Sequence, residues 1–278
     1  MNKGLILSIL FVVGISPVFG QRRSTAASQE ESNSNSKTVT ISAPSSSTRT
    51  SNRKGYRAPK TSYWAIGASA STNSSPIGGI SIKNTFGKNP LKLNLISVDF
   101  VNINDYRQFK SPYSFNGTNY IEGKINYLYV LRPSYGKEFA FLQAADDTSP
   151  SLKGFISTGP SIGFESPYYV QISQNFSGRS TLIQVPYSDI FANIYPNPAI
   201  VGSGGWFKGL SQSSVQPGWH AKGGINLDYR NFKGNYFGIE IGASIDYFAN
   251  EIVQLYNVKG RNLYSGAYIC MYFGKSHR

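Results

Sequence analysis

The sequence predicts an all-β protein, an eight-stranded antiparallel transmembrane barrel with a disordered N-terminal tail. Three observations predict it. Along 237–247, Phe237, Ile239, Ile241, Ala243, Ile245 and Tyr247 alternate with Gly238, Glu240, Gly242, Ser244 and Asp246. Side chains alternate across a strand, so one face is wholly apolar and the other carries two carboxylates, which fits lipid outside and a polar lumen inside. Composition agrees: 19 Tyr, 17 Phe and 28 Gly stand against only 15% charged residues, a balance suited to pleated, half-buried surfaces. Beyond the N-terminus, no apolar run approaches the length of a spanning helix. A membrane-embedded chain must then close its strands into a barrel to satisfy its backbone.

Residues 1–20 read as a secretory signal: Lys3, an apolar stretch over 5–13, and a small-residue cleavage site ending at Gly20. No cysteine follows that could carry a lipid, and the single Cys270 rules out an internal disulfide. Residues 21–62 hold eight basic residues (Arg22, Arg23, Lys37, Arg49, Arg53, Lys54, Arg57, Lys60) against Glu30 and Glu31. They are rich in Ser, Thr and Asn, so this segment is expected to be disordered. It reads as a solvated linker or as an arm for anionic lipid or an acidic partner. Nucleic acid is not expected as a partner of an exported chain without a binding motif.

Eight strands are expected within 63–274. The first, 63–72, turns Trp64, Ile66, Ala68 and Ala70 to one face. The second, 78–86, places Ile80 and Ile82 outward with Ser81, Lys83 and Thr85 inward. In the third, 91–103, the apolar phase moves from Leu91, Leu93 and Leu95 to Ile96, Val98 and Phe100, which predicts a β-bulge. The fourth, 125–133, points Ile125, Tyr127, Tyr129 and Leu131 outward. The fifth, 155–164, is small on one face, and Pro160 removes a ladder hydrogen bond. The sixth is 220–230, the seventh 237–247. The eighth, 264–273, resembles the C-terminal recognition strand of outer-membrane proteins, with 274–278 trailing beyond it. With the N-terminus in the periplasm, turns at 87–90 and 232–235 are short, and connections at 104–124, 165–219 and 249–263 lie outside and are longer, as in outer-membrane barrels. A short external turn at 73–77 and a long periplasmic one at 134–154 fit that scheme less well.

An eight-stranded barrel is filled by its own side chains. Inward Asp99, Arg132, Lys222, Asp228, Arg230, Glu240 and Asp246, with Lys83, are expected to form a paired lumen network. A diffusion pore needs about 16 strands. Catalytic, cofactor and metal sites are not expected. The two histidines, His220 and His277, carry no metal spacing. His220 is placed near the outer rim, where Ser188 or Asp189 could join it in a rim enzyme; this is the alternative reading, with a small transporter or pore. Asp146–Asp147 reads as a turn and 202–205 as a flexible loop. The connection 165–219 is rich in aromatics, and Tyr187, Phe191, Tyr195, Trp206, Phe207 and Trp219 are candidates for a lid over the mouth or for docking another protein.

Several segments resemble a widespread Bacteroidota outer-membrane β-barrel family: 100–103 (Phe-Val-Asn-Ile), 129–136 (Tyr-Val-Leu-Arg-Pro-Ser-Tyr-Gly), 159–163 (Gly-Pro-Ser-Ile-Gly) with Pro167-Tyr168-Tyr169, and 205–209 (Gly-Trp-Phe-Lys-Gly) with Pro217-Gly218. The resemblance covers roughly 63–273 and is carried by structural motifs. It implies a non-enzymatic barrel in the outer membrane of a Gram-negative bacterium, in contact with its lipid. It also implies a place beside other proteins of a multi-subunit complex, of the kind that inserts barrels or exports surface proteins. The basic tail lies outside it.

Overall fold

A computed structural model describes residues 61–277 except 75–77, 90, 112–118, 143–148, 177–178, 196–197, 206 and 232. The signal and tail readings over 1–60, the Asp146–Asp147 turn and Trp206 therefore lie outside the described residues.

Eight strands close into a barrel: β1 (Thr61–Ser71), β2 (Gly79–Asn89), β3 (Lys92–Ile103), β4 (Asn126–Leu142), β5 (Ser151–Pro167), β9 (Ser214–Arg230), β10 (Asn235–Ile252) and β11 (Arg261–His277). All neighbours are antiparallel, and β1 pairs with β11 from Ser62↔His277 to Ser71↔Tyr268, so no edge remains. The intervening β6 (Tyr169–Phe176), β7 (Arg179–Pro186) and β8 (Ala199–Ser203) form a separate sheet in the order β7-β6-β8, with a short helix α1 (Tyr187–Phe191) between β7 and β8.

Period-2 alternation runs along every barrel strand, and the faces match the sequence reading except at the start of β3. On β10, Glu240, Ser244 and Asp246 are buried, while Ile241, Ile245 and Tyr247 are more than half exposed. Outward Ile66, Ile80, Ile82, Ile96, Val98, Ile225, Leu227, Ile269, Met271 and Phe273 continue this apolar face around the wall. Inside, Gly238 and Gly242 leave room for rings: a Cβ on Gly238 would lie 2.7 Å from the Tyr236 hydroxyl, and one on Gly242 would lie 3.1 Å from that of Tyr268.

The strands are longer than the apolar patterns suggest, and this resolves one of the two awkward connections, while the external turn between β1 and β2 stays short. β4 runs to Leu142 and β5 starts at Ser151, so only 143–150 join them at the periplasmic end. The external excursion is 168–213, which places Trp219 on β9, where its indole N–H donates to Thr158 Oγ1 at 2.7 Å. β11 includes the expected tail as far as His277. The bulge expected in β3 is absent: the β2–β3 register is continuous from Gly79↔Val101 to Phe86↔Asn94 and breaks only at the hairpin end. Leu93 and Leu95 point inward with Ser97 and Asp99, because the periplasmic end of the lumen is itself partly apolar.

Pro160 does interrupt a ladder, on one side only. Its pairing with β9 (Pro160↔Trp219) is intact. Between β4 and β5 the ladder skips from Leu131↔Ile162 to Tyr135↔Thr158, a register that sets Pro160 opposite Pro133. Two residues without N–H groups thus share one gap and spare the other rungs.

The belt is testable. Replacing Ile241 by Arg puts a charge into the hydrocarbon and should destabilise the inserted barrel by about 2–4 kcal/mol. Urea unfolding in lipid vesicles, followed by tryptophan fluorescence, measures the loss.

Candidate functional site: the charged lumen and its outer cap

The lumen is built from the inward residues of all eight strands. Lys222 Nζ donates to Asp99 Oδ2 at 2.6 Å, and Asp99 also accepts from the Ser81 hydroxyl. Arg132 forks onto Asp246, Nε to Oδ1 at 2.8 Å and Nη2 to Oδ2 at 2.6 Å; Ser161 donates to the same carboxylate at 3.1 Å. Lys83 Nζ lies 3.0 Å from Glu240 and 3.8 Å from Glu138, and its ammonium sits 4.0 Å from the centre of the Tyr272 ring. Lys153 binds Asp228 at 3.0 Å, with Ser151 donating to the second oxygen. Arg230, partly exposed at the periplasmic end, reaches Asp228 at 3.5 Å.

All seven residues expected in the network therefore take part in ion pairs, as does Lys83. Two members were missed, Glu138 and Lys153. Both lie on strand ends that the apolar pattern assigned to a connection; the inward phase of Arg132 and Ser134, carried on through Gly136, was the signal for Glu138. With them the lumen is formally neutral: Lys83, Arg132, Lys153, Lys222 and Arg230 face Asp99, Glu138, Asp228, Glu240 and Asp246. Each charge removed from water has a partner, which burial requires.

Apolar side chains cap the charges at the external end and interleave with them at the periplasmic end. Tyr63, Leu93, Tyr236 and Tyr272 pack at the periplasmic end, where Tyr63 and Tyr236 stack at 4.3 Å. Ile103, Leu128, Val130, Phe248, Ile252 and Tyr264 fill the external end. A partly open cavity of about 30 Å³, lined by Ser71, Asn73 and Ile103 as well as by Asp99, Arg132 and Lys222, has space for about two waters.

His220 belongs to this interior. It is 1% exposed, pairs across the wall with Asp246 and Gly159, and lies 3.1 Å from Ser161 Oγ through Nδ1. Its expected position at the rim is thus corrected: phase, not distance along the strand, decides its side. Ser188 and Asp189 lie on α1 in the external excursion, bonded to each other. Among the described residues no cluster of His, Cys, Asp and Glu could hold a metal ion, and Cys270 is a buried free thiol.

Above the barrel, three connections lock together. Gln254 ties them: its side chain donates to Ile103 O at 3.1 Å and accepts from Asp105 N at 2.8 Å, and its carbonyl accepts from Ile125 N at 2.9 Å. Lys124 is fully buried here. Its Nζ donates to Asn104 Oδ1 and Gln108 Oε1, both at 3.1 Å, and lies 4.1 Å from the centre of the Tyr127 ring. It has no carboxylate among these partners, and burial pushes its pKa down to about 7. Asp105 is held below the usual carboxylate range by its fork with Arg107.

The β6–β8 sheet packs on this cap and on the outside of β4. Tyr127 and Tyr129, outward as expected, are buried under Tyr168, Val170, Ile172, Val185 and Tyr187 instead of meeting lipid. Of the aromatics expected to dock a partner, Tyr187 is buried in that cluster, and Phe191 stacks on Tyr256 at 3.9 Å. Tyr195 packs partly buried at its edge, while Phe207 remains 64% exposed above Tyr129. The 202–205 stretch, read as a flexible loop, supplies the end of β8, and Gly204 N donates to Tyr169 O.

A closed barrel with an apolar outer wall, a neutral salt-bridged lumen, turns of at most eight residues at the end where β1 begins and β11 ends, and the two longest connections (104–125 and 168–213) at the other has the organisation of an outer-membrane protein. This chain is an integral β-barrel of the Gram-negative outer membrane. Among the described residues no helix is long and apolar enough to cross a membrane. No family model matches the sequence, and no curated protein matches it. Among solved structures, Neisserial surface protein A aligns with 78% of this chain and 96% of its own at 11% identity and a TM-score of 0.32. The attachment invasion locus protein Ail of Yersinia pestis, solved with the heparin analogue sucrose octasulfate, aligns over the same shares at 11% identity and a TM-score of 0.30. Likeness at this level adds nothing to what the chain's own geometry establishes.

Two outcomes are expected. Replacing Asp246 by Ala strands Arg132 and should cost about 3–5 kcal/mol, whereas Arg132→Met with Asp246→Leu should recover most of it; urea unfolding of single and double variants decides. The second concerns Lys124. Its folded pKa lies near 7, below the roughly 10.4 of an exposed lysine. The penalty on the closed cap is complete below pH 7 and is relieved as pH rises towards 10. Hydrogen-exchange protection of 119–125, corrected for intrinsic rates, should rise from pH 6 to pH 9 and become pH-independent in Lys124→Met.

Proposed function

We propose that the protein is a non-enzymatic structural or accessory subunit of an outer-membrane complex, which it joins through its external cap. The observation that carries this reading is the lumen, which is filled by paired charges and by packed aromatic and apolar side chains. A lumen so filled favours a scaffold over a transport path. Burial of His220 removes the residue on which the rim-enzyme alternative stood. What remains available is the outer end. There the Tyr127–Tyr187 cluster fastens a small sheet to the wall, and Phe109, Leu182, Ile194 and Phe207 stay largely exposed. Apolar side chains held on an ordered surface suit a protein partner. The sequence resemblance favours a partner from the machinery that inserts barrels, in the manner of its accessory barrel subunit BamF, or from surface protein export.

The test is purification of the native chain from membranes in mild detergent. A stoichiometric outer-membrane partner is expected, and its recovery should fall at least about tenfold, the equivalent of about 1.4 kcal/mol, when Phe109, Leu182 and Phe207 are changed together to Ser, with the folded barrel retained. Recovery of the unaltered chain alone as a monomer would reject the proposal.

A further inference from the structure

The neutral lumen leaves the formal charge of +13 to the rest of the molecule, and on the barrel surface that charge is lopsided. Lys88 and Lys92 flank the β2–β3 turn, Lys137 lies on the lower half of β4, Lys233 lies in the β9–β10 turn and Lys275 lies near the end of β11. All five are exposed, in the half of the barrel where β1 begins and β11 ends. Every described carboxylate of that end (Glu138, Asp228 and Glu240) is buried in the lumen, so among the described residues these lysines meet no acidic neighbour. The opposite end mixes signs, with Glu122 and Glu251 exposed beside Lys110, Lys208 and Lys259.

The height of the lysines is fixed by the ladder. Lys275 pairs with Trp64, and the next outward rung is Ile66↔Phe273. Lys137 pairs with Asn94, which pairs with Phe86, and Lys92 pairs with Phe139. Lys275 therefore sits just beyond outward aromatics, and Lys88, Lys92 and Lys233 lie at or beside the turns, whereas Lys137 lies deeper, beside the outward Ile156, with Phe141 nearer the end. Aromatic girdles mark the level of the headgroups, and lysine stems lie along apolar surface while the ammonium stays at the interface.

We infer that these five lysines form a binding surface for the anionic headgroups of phospholipids in the periplasmic leaflet. The ligand chemistry is a phosphodiester monoanion at the membrane surface. It is selected because the cations are spread around the wall, on β2 to β4, at the β9–β10 turn and on β11, where a leaflet surrounds them, instead of gathering on one side as a single docked protein would require. The inference rests on the outer-membrane reading and goes beyond the subunit proposal, since it concerns the other end of the barrel.

The test uses the full chain in nanodiscs of phosphatidylcholine with one-fifth phosphatidylglycerol, with spin-labelled lipids reporting which species contacts the wall. At low salt the wild type should prefer phosphatidylglycerol by about fivefold, the effect of one well-placed lysine. The preference should collapse towards parity in 0.5 M salt (on the order of a 4–5 Å Debye length) and in the variant K88Q/K92Q/K137Q/K233Q/K275Q. The control K110Q/K208Q/K259Q should keep it. Heat-modifiable migration on gels confirms insertion of each variant first, so failure to insert overturns the membrane reading itself. An inserted wild type without preference, or a quintuple variant that keeps it, overturns the inference alone. Tight binding of soluble polyglutamate by the five lysines without lipid preference overturns it in favour of an acidic protein partner.

Discussion

The β1–β11 ladder is the constraint from which the remaining structure follows. In lipid no water is present to satisfy a sheet edge, so the first and last strands must find each other, and they do so over ten residue pairs. Closure at eight strands fixes a bore that only side chains can fill. Because the outer wall has to be apolar, alternation obliges the inner face to carry whatever polar residues the chain contains. The ion pairs of Lys222 with Asp99 and of Arg132 with Asp246 are therefore consequences of geometry as much as of selection for a site. Function is displaced to the two ends, where the backbone is no longer bound by the ladder.

Much of this was legible because period-2 alternation is a local signal. The faces of β2, β9, β10 and β11 could be read residue by residue, and so could the inward position of all seven network residues. Reading failed where apolarity and lipid exposure part company. Leu93 and Leu95 are apolar yet inward, because the lumen has its own greasy layer, and their side chains imitated a change of phase. Tyr127 and Tyr129 are outward yet buried, because the β6–β8 sheet covers them. Only contacts distant in sequence create that cover, and no local pattern announces them. Strand ends failed for a related reason. On β4 and β5 the outward face is interrupted by Lys137 and Gly154 before Phe141 and Leu152 resume it, so the ladder continues past the point where the apolar pattern breaks. His220 shows the reverse error, since its inward phase was readable but its position near a strand end was given more weight.

The prolines illustrate how the wall tolerates a defect. Each removes one donor, and a carbonyl without a partner in lipid costs several kcal/mol. Placing Pro133 and Pro160 in one register confines the damage to a single stretch between β4 and β5 and leaves β3–β4 and β5–β9 whole. Gly159 lies beside the gap, and a Cβ there would meet the Pro133 carbonyl at 2.1 Å. The two strands therefore remain closely packed where the ladder is thin.

Why the lumen keeps charges at all is a separate question, since well-packed hydrophobic residues in place of a buried ion pair are often neutral or stabilising. The answer lies in the route the chain must take. A strand apolar on both faces would approach the hydropathy of a spanning helix, and eight of them would be liable to arrest in the inner membrane or to aggregate during periplasmic transit. Alternation keeps each strand from reading as a continuous apolar run, which lessens both liabilities. The carboxylates and lysines of the lumen thus act first as solubilising groups in the unfolded chain and only afterwards as partners. Their exact matching, five of each sign, is what makes the same residues tolerable once the barrel has closed around them.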